Sequence, residues 1–310
     1  MVFKKMLAAL GVGGPSVDTV LATAGVQPGG TLSGHVNIKG GDRDAEIEYV
    51  SVGLVTRVEV ESGDQEYSKN VEFHRINVAG AFTLPAGADH RLPFTTAIPW
   101  ETPITTIFGR HLHGMTMGVH TELSVAKAVD KTDLDPLHVQ PLPIHEAILD
   151  AFGGLGFRFA RADLERGRIH GVHQTLPFYQ EIEFLPSPAY GGRIRQLEVT
   201  FVTSPGGVDV ILEFDKRGFL SSHDTFSRHH VRHDQAHTTD FLQVVDGWVR
   251  QAVDRRGHVP PHQAHRGGHH GHGHGIGAGG IAAGVAGGVL GGMILGEVAD
   301  EIGDAMDFDF

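Results

Sequence analysis

Two hydrophobic rhythms divide the chain. In TLSGHVNIKG, Leu32, Gly34, Val36 and Ile38 alternate with polar or small neighbours. The run EIEYVSVGLVTRVEVE (46–61) alternates again, with Ile47, Tyr49, Val58 and Val60 as inward candidates. This is the period of a half-buried strand, whose side chains point to opposite faces in turn. Pro28-Gly29-Gly30, Gly40-Gly41-Asp42 and Gly63-Asp64 punctuate the runs. Short alternating strands between such turns predict a β-sandwich. HRLPFTTAIPWETPIT carries Pro93, Pro99 and Pro103, with Pro85 upstream. Proline has no N–H for a ladder, so edge strands and extended loops are expected there. VHTELSVAKAV (119–129) supplies the closing strand of a first domain, residues 1–132.

DKTDLDPLHVQPLP is polar and broken by Pro136, Pro141 and Pro143, which predicts a short stiff linker over 133–143. The rhythm then turns helical. Ile144, Ile148, Ala151 and Phe152 share one face, and Gly153-Gly154 ends the pattern. Strands resume from Phe157 and include QEIEFLP (180–186), RIRQLEVTFV (193–202) and VDVILEFDKRG (208–218), with a hairpin around Ser204–Gly207. A last helix, Thr239 to Asp254, lines up Phe241, Val244, Val245, Trp248 and Ala252 as a packing stripe. The second domain, a sandwich with a terminal helix, is therefore placed at 144–254. A His-rich segment (255–275) and a glycine-rich segment with an acidic end (276–310) follow.

The block DTVLATAGVQPGGTLSGHVNIKGGDRDAEIEYVSVGLVTRVEVESGD (18–64) resembles the SpoOM-type sporulation-control proteins, bacterial relatives of the arrestin fold. DKTDLDPLHVQP, AFGGLGFRF and VILEFDKRG resemble the same family, so that the likeness covers about residues 1–250. It implies a mainly β protein with two tandem arrestin-like β-sandwich domains and short helices, while the His/Gly-rich C-terminal tail lies outside the likeness. It also implies a cytoplasmic regulator of sporulation or development, with no catalytic residues to carry over.

The formal charge of −12 excludes a general nucleic-acid binder, for want of a basic surplus to neutralise phosphates. With no cysteine there is neither disulfide nor thiolate chemistry. The N-terminal MVFKKMLAALGVGGPSV has a short apolar core, and Gly13-Gly14-Pro15 offers no small-x-small cleavage site. A helix over Phe3–Leu10 and a cytoplasmic body are expected rather than a secretion signal. GxSxG, Walker, Rossmann and HExxH patterns are absent. Asp215-Lys216-Arg217-Gly218 reads as an exposed turn, and the acids of the strands read as a solvated face. No enzyme is expected.

Histidine is the exception, with 22 residues in clusters. His111 and His113 share a strand face near His120. His229, His233 and His237 would align on a helix, where pairs of imidazoles can chelate metal. The densest set is His258, His262, His265, His269, His270, His272 and His274, among prolines and glycines. These flexible imidazoles suit zinc, nickel or copper, or form a spacer that gains charge under mild acid. No other cofactor is expected.

From Ile276 to Gly296 the chain has no charge, and nine of 21 residues are glycine. Gly280, Gly284, Gly288, Gly292 and Gly296 recur every four residues, which on a helix makes a bare groove for close backbone contact. Each interior glycine costs about 0.8–1 kcal/mol of helix propensity, roughly 7–9 kcal/mol for all nine. A helix there needs a bilayer or a packing partner. At 1.5 Å per residue it would span about 31 Å. Membrane contact through 276–296, a self-association helix giving a homo-oligomer, and a disordered tail all stand open. The leading expectation is a non-enzymatic adaptor acting through protein–protein contacts, its partners unidentified. The alternative is a metal-responsive protein using the His-rich tail.

Overall fold

The computed structural model describes residues 13–62, 65–216 and 225–254. The helix expected over Phe3–Leu10, Arg217 and Gly218, the His-rich segment and the glycine run all lie outside the described residues. So do the seven tail histidines from His258 to His274 and the glycine row from Gly280 to Gly296.

The first half contains β1 (Ser16–Leu21), β2 (Gly25–Val26), β3 (Thr31–Lys39), β4 (Ala45–Ser62), β5 (Gln65–Ala79) and β6 (Phe82–Leu84). It continues with β7 (Asp89–Ala97), β8 (Thr106–Ile107), β9 (Arg110–His111), β10 (Met117–Val125), β11 (Lys131–Pro136) and β12 (His138–Val139). The second half has helix α1 (Pro143–Gly154), β13 (Arg158–Arg166), β14 (Phe178–Leu185), β15 (Ile194–Ser204), β16 (Gly207–Lys216), β17 (Thr225–Val231), a 3₁₀ turn (His233–His237) and helix α2 (Phe241–Asp254). The described chain is mainly β.

Strands β1, β3 and β7 form one antiparallel sheet, with Pro93 on β7 at its edge as proline requires. This sheet packs on the layer of β11, β10, β4 and β5. Leu32, Val36 and Ile38 meet Val50, Val52, Leu54, Val119 and Leu123 in the core between them. The Thr19 and Thr121 hydroxyls join across the gap at 2.6 Å. The N-terminal half is thus the sandwich that the alternation predicts. Tyr49 departs from its assigned face. The register of β4 against β10 shifts between Ser124 and Val125, so Ile47 is buried while Tyr49 turns its hydroxyl to Glu122 on the outer face.

The polar stretch 133–143 departs from a linker. Lys131–Pro136 pairs antiparallel with β10, and His138–Val139 pairs in parallel with β2. Asp133 accepts a hydrogen bond from the Thr19 N–H at 2.6 Å, which ties this edge strand to β1.

The second half also differs from a second sandwich. Among the described residues β13 to β17 form one layer, joined to the first through a parallel contact of Glu59 on β4 with Glu165 on β13. The sequence holds the reason. On β14 to β16 the apolar residues Ile182, Phe184, Leu197, Val199, Val210, Leu212 and Phe214 share one face, while Glu181, Glu183, Glu198 and Glu213 occupy the other. The acidic face has no apolar stripe for a second sheet to bury. Helices α1 and α2 cover the apolar one through Ile144, Ile148, Phe152, Val245 and Val249, all at most 1% exposed. Truncating Ile144, Ile148 or Phe152 to alanine costs about 2–5 kcal/mol.

Helix α1 starts with Pro143 in its first turn, where a missing N–H costs nothing. It ends at Gly154, at the glycine pair that the sequence marks. Gly156 takes φ +85°, and the Phe157 N–H reaches back to the Phe152 carbonyl at 3.0 Å. No helix among the described residues is long and apolar enough to cross a membrane.

Candidate functional site

Strand β10 is buried along its whole length, because it is covered on both faces. Its inner positions belong to the sandwich core. Its outer positions, His120 and Glu122, meet Tyr49, Ser51 and Gly53 on β4 and Glu72 and Arg75 on β5 in one polar network. Arg75 is the hub. Its Nε and Nη2 donate to the Ser51 hydroxyl at 3.0 and 2.7 Å, and Nη2 also donates to Glu122. Its Nη1 stands 3.3 Å from Glu72, and its guanidinium lies 5.8 Å from the Tyr49 ring centroid. The Tyr49 hydroxyl donates to Glu122 at 2.5 Å. His120, only 1% exposed, sets Nδ1 3.3 Å from Glu72.

Gly53 makes the approach of Glu72 feasible. A Cβ at this position would stand 2.5 Å from a Glu72 carboxylate oxygen and 3.0 Å from the His74 carbonyl.

Burial pushes the Glu122 carboxyl up, but the Tyr49 hydroxyl and the Arg75 guanidinium outweigh it and hold Glu122 below the usual carboxylate range. The same hydrogen bond to Glu122, followed by burial, raises Tyr49. For Arg75 burial works against the charge, and Glu122 and Glu72 more than restore it. Two carboxylates therefore hold a permanent cation whose side chain is still 35% exposed. This arrangement presents charge and hydrogen-bonding groups on the outside of the sheet.

The junction between the halves holds His145, fully buried on α1. Its Nδ1 accepts from the Leu142 N–H at 3.4 Å, its Nε2–H donates to Thr203 at 3.0 Å, and its ring stacks on Phe201 with centroids 4.7 Å apart. Burial, aided by His233, lowers His145 to about 3, so the neutral form is the folded one. Beside it lies a cavity of about 20 Å³ lined by Thr102, Ile104, Gln180 and Phe201, room for about one water. Ligand pockets for small molecules run to about 300–1,000 Å³.

Among the described residues, the two expected histidine groups do not assemble. His111 and His113 are exposed beside the β8–β9 hairpin, whereas His120 is buried against Glu72. His229 lies in strand β17 and stacks on Trp248 of α2, centroids 4.3 Å apart and planes 9° from parallel. His233 opens the 3₁₀ turn and donates to the Ser204 carbonyl at 2.8 Å, while His237 closes it. Extended β17 places these three apart, where a continuous helix would have aligned them.

The strand acids are the group that the sequence reading undervalued. One carboxylate oxygen each from Asp163, Glu165 and Glu181 lie within 4.8 Å of one another, and so do one each from Glu181, Glu198 and Glu213. Asp163, Glu181 and Glu213 are buried. A solvated face was the expectation; the register instead brings acids of four neighbouring strands together. The available signal was acids at alternate positions of successive strands, in ADLE, EIE, LEV and LEF.

The chain matches the family described as SpoOM protein over residues 3–218. It is 36% identical over 216 residues to the sporulation-control protein spo0M of Bacillus subtilis (strain 168), which spans 69% of this chain and 81% of that protein. Its fold is similar to the crystal structure of Spo0M, sporulation control protein, from Bacillus subtilis. That likeness has a TM-score of 0.69 and 30% identity, and it covers 77% of this chain and 99% of the other.

Proposed function

The chain belongs to the SpoOM family of sporulation-control proteins, and from that premise we propose that it is a non-enzymatic, arrestin-like regulator that works through protein–protein contacts. The observation that carries the reading is the extent of the family match, which takes in nearly all the described β structure. The outer face around Arg75 offers a partner fixed charge and donors held in place by Glu72 and Glu122. Strands β11 and β17 end the order of the large sheet, and an edge strand can accept a partner strand by backbone hydrogen bonding. In this reading β11 and β17 offer two separate edges at opposite ends of the strand order, and the regulator acts in the cytoplasm.

The test is complementation in Bacillus subtilis lacking its own Spo0M, with heat-resistant spores counted. The wild-type chain is expected to change spore yield toward that of the parent strain. Arg75→Glu, shown to be folded by its melting curve, is expected to fail. A wild-type chain without effect removes the regulatory reading. A fully active Arg75→Glu removes the assigned contact face.

A further inference from the structure

Strand β11 turns its acids inward. Asp133 and Asp135 lie opposite Thr121 and Val119 of β10, both buried in the sandwich, and residues paired across two strands project to the same side. Inward-pointing charges are one way in which a sheet edge is kept from pairing further. Strand β1, the edge of the other layer, lies against them. The Thr19 N–H points away from β3 and donates to an Asp133 oxygen at 2.6 Å, while the Thr19 hydroxyl reaches that of Thr121 at 2.6 Å. Asp135 brings its carboxyl within hydrogen-bonding reach of Asp133, and its Oδ2 is buried with no partner among the described residues.

Two ionised carboxylates have no hydrogen to share. The contact of Asp133 with Asp135 is a hydrogen bond only while one of them keeps a proton. Asp133 already accepts the Thr19 N–H, which favours its charged form, so the proton belongs to Asp135.

We propose that Asp133 and Asp135 form a pH-sensitive clasp across the open edge of the sandwich, in which one shared proton holds β11 against β1 and its loss parts the two strands.

The charges on this face set the direction. Strand β1 contributes Asp18, which accepts from Asn37 of β3 at 3.3 Å. Strand β11 contributes Lys131 at the other end of the same face, and β10 the uncharged Val119, Thr121 and Leu123. Burial first, then Asp133 and Asp18, raises Asp135 to about 6. A raised carboxyl supports the folded contact while protonated, so the clasp is closed below about pH 6 and loosens as pH rises through that value. Ionisation takes from Asp133 the donor on Asp135 and sets like charges against each other, with Asp18 as a third. Parting would free backbone groups of β1 and β11. On the reading that sheet edges receive a partner strand, on which this consequence rests, strand acceptance then depends on pH.

Hydrogen exchange of the full-length protein tests the clasp without any partner. It is followed by mass spectrometry on peptic fragments containing residues 16–21 and 131–136, with rates corrected for the intrinsic pH dependence of exchange. Protection of both fragments should fall about fivefold between about pH 5 and pH 7.5. Fragments from α2 should not fall, because the titration of His145 acts on the whole fold in the opposite sense. Asp135→Asn gives Asp133 a permanent N–H donor and should keep both fragments protected at both pH values. Equal protection of the wild-type fragments at the two pH values overturns the proposal without any variant. So does a fall shared equally by α2, or a folded Asp135→Asn protein whose fragments follow the wild type. A failed clasp leaves the regulatory reading to the spore count, and a failed spore count leaves the clasp standing.

Discussion

The Arg75 side chain reaches over the whole width of β4, from β5 to the Glu122 carboxylate on β10, and bonds the Ser51 hydroxyl on the way. Three strands of the outer face are thereby joined through one guanidinium. Removing either partner leaves the other with unmet hydrogen bonds. Glu122→Ala should destabilise the protein by about 2 kcal/mol, because its side chain is nearly buried. Arg75→Ala should cost about 1 kcal/mol, since solvent screens the more exposed end. Urea unfolding of both single variants and the double variant would show a coupling of about 1 kcal/mol. Additive losses would mean that the contact contributes nothing.

Acid should loosen the junction at His145. This group is held neutral when folded and lowered to about 3, against about 6.5 unfolded. The unfolded chain therefore takes up the proton first, and stability falls as pH drops from about 6.5 towards 3, by on the order of 4 kcal/mol in all. His145→Gln can keep a donor to Thr203 and does not titrate. Its urea midpoint should vary less with pH over that window than the wild-type midpoint, by a matching amount.

Asp135 carries the opposite sign. Burial first, then the charges of Asp133 and Asp18, raises it to about 6 where β11 passes β1. A raised carboxyl favours the folded state while protonated, so stability is lost as pH rises from about 4 through 6. Asp135→Asn should accordingly stabilise the protein by about 1 kcal/mol at pH 7.5 and by little at pH 4. Thermal melts at both pH values would check it, and equal shifts would argue against the titration.

The tail poses a separate question, legible in sequence alone. Truncation after Asp254 removes the row of Gly280, Gly284, Gly288, Gly292 and Gly296. If that row pairs helices, full-length protein should be larger than a monomer by light scattering, and the truncated form monomeric. Gly288→Leu in the full chain should lower the assembly in the same way by filling the groove. Retention of only the full-length chain in carbonate-washed membranes would instead assign residues 276–296 to the bilayer.

What the chain revealed by itself was periodic. Alternation located β3 and β4, because burial of one strand face leaves a period of two in any sequence, while proline marked the edge of β7 and turn residues the hairpin at Ser204–Gly207. The stripe from Phe241 to Ala252 likewise announced α2, since a helix that packs must keep its apolar residues about 3.6 apart. Pairing was not written locally. The polar stretch with Asp133 and Asp135 became strand β11 because β10 offered it a free edge and Thr19 a donor. His229 became a strand residue stacked on Trp248, out of line with His233 and His237. Acids that looked solvated one strand at a time converged on Glu181 only when four strands came into register. Alternation indicates a face for each side chain along its own strand, save where pairing puts in a bulge, as at Tyr49; only the paired sheet decides which charges become neighbours, because that depends on residues tens of positions apart and on hydrogen bonds between their backbones.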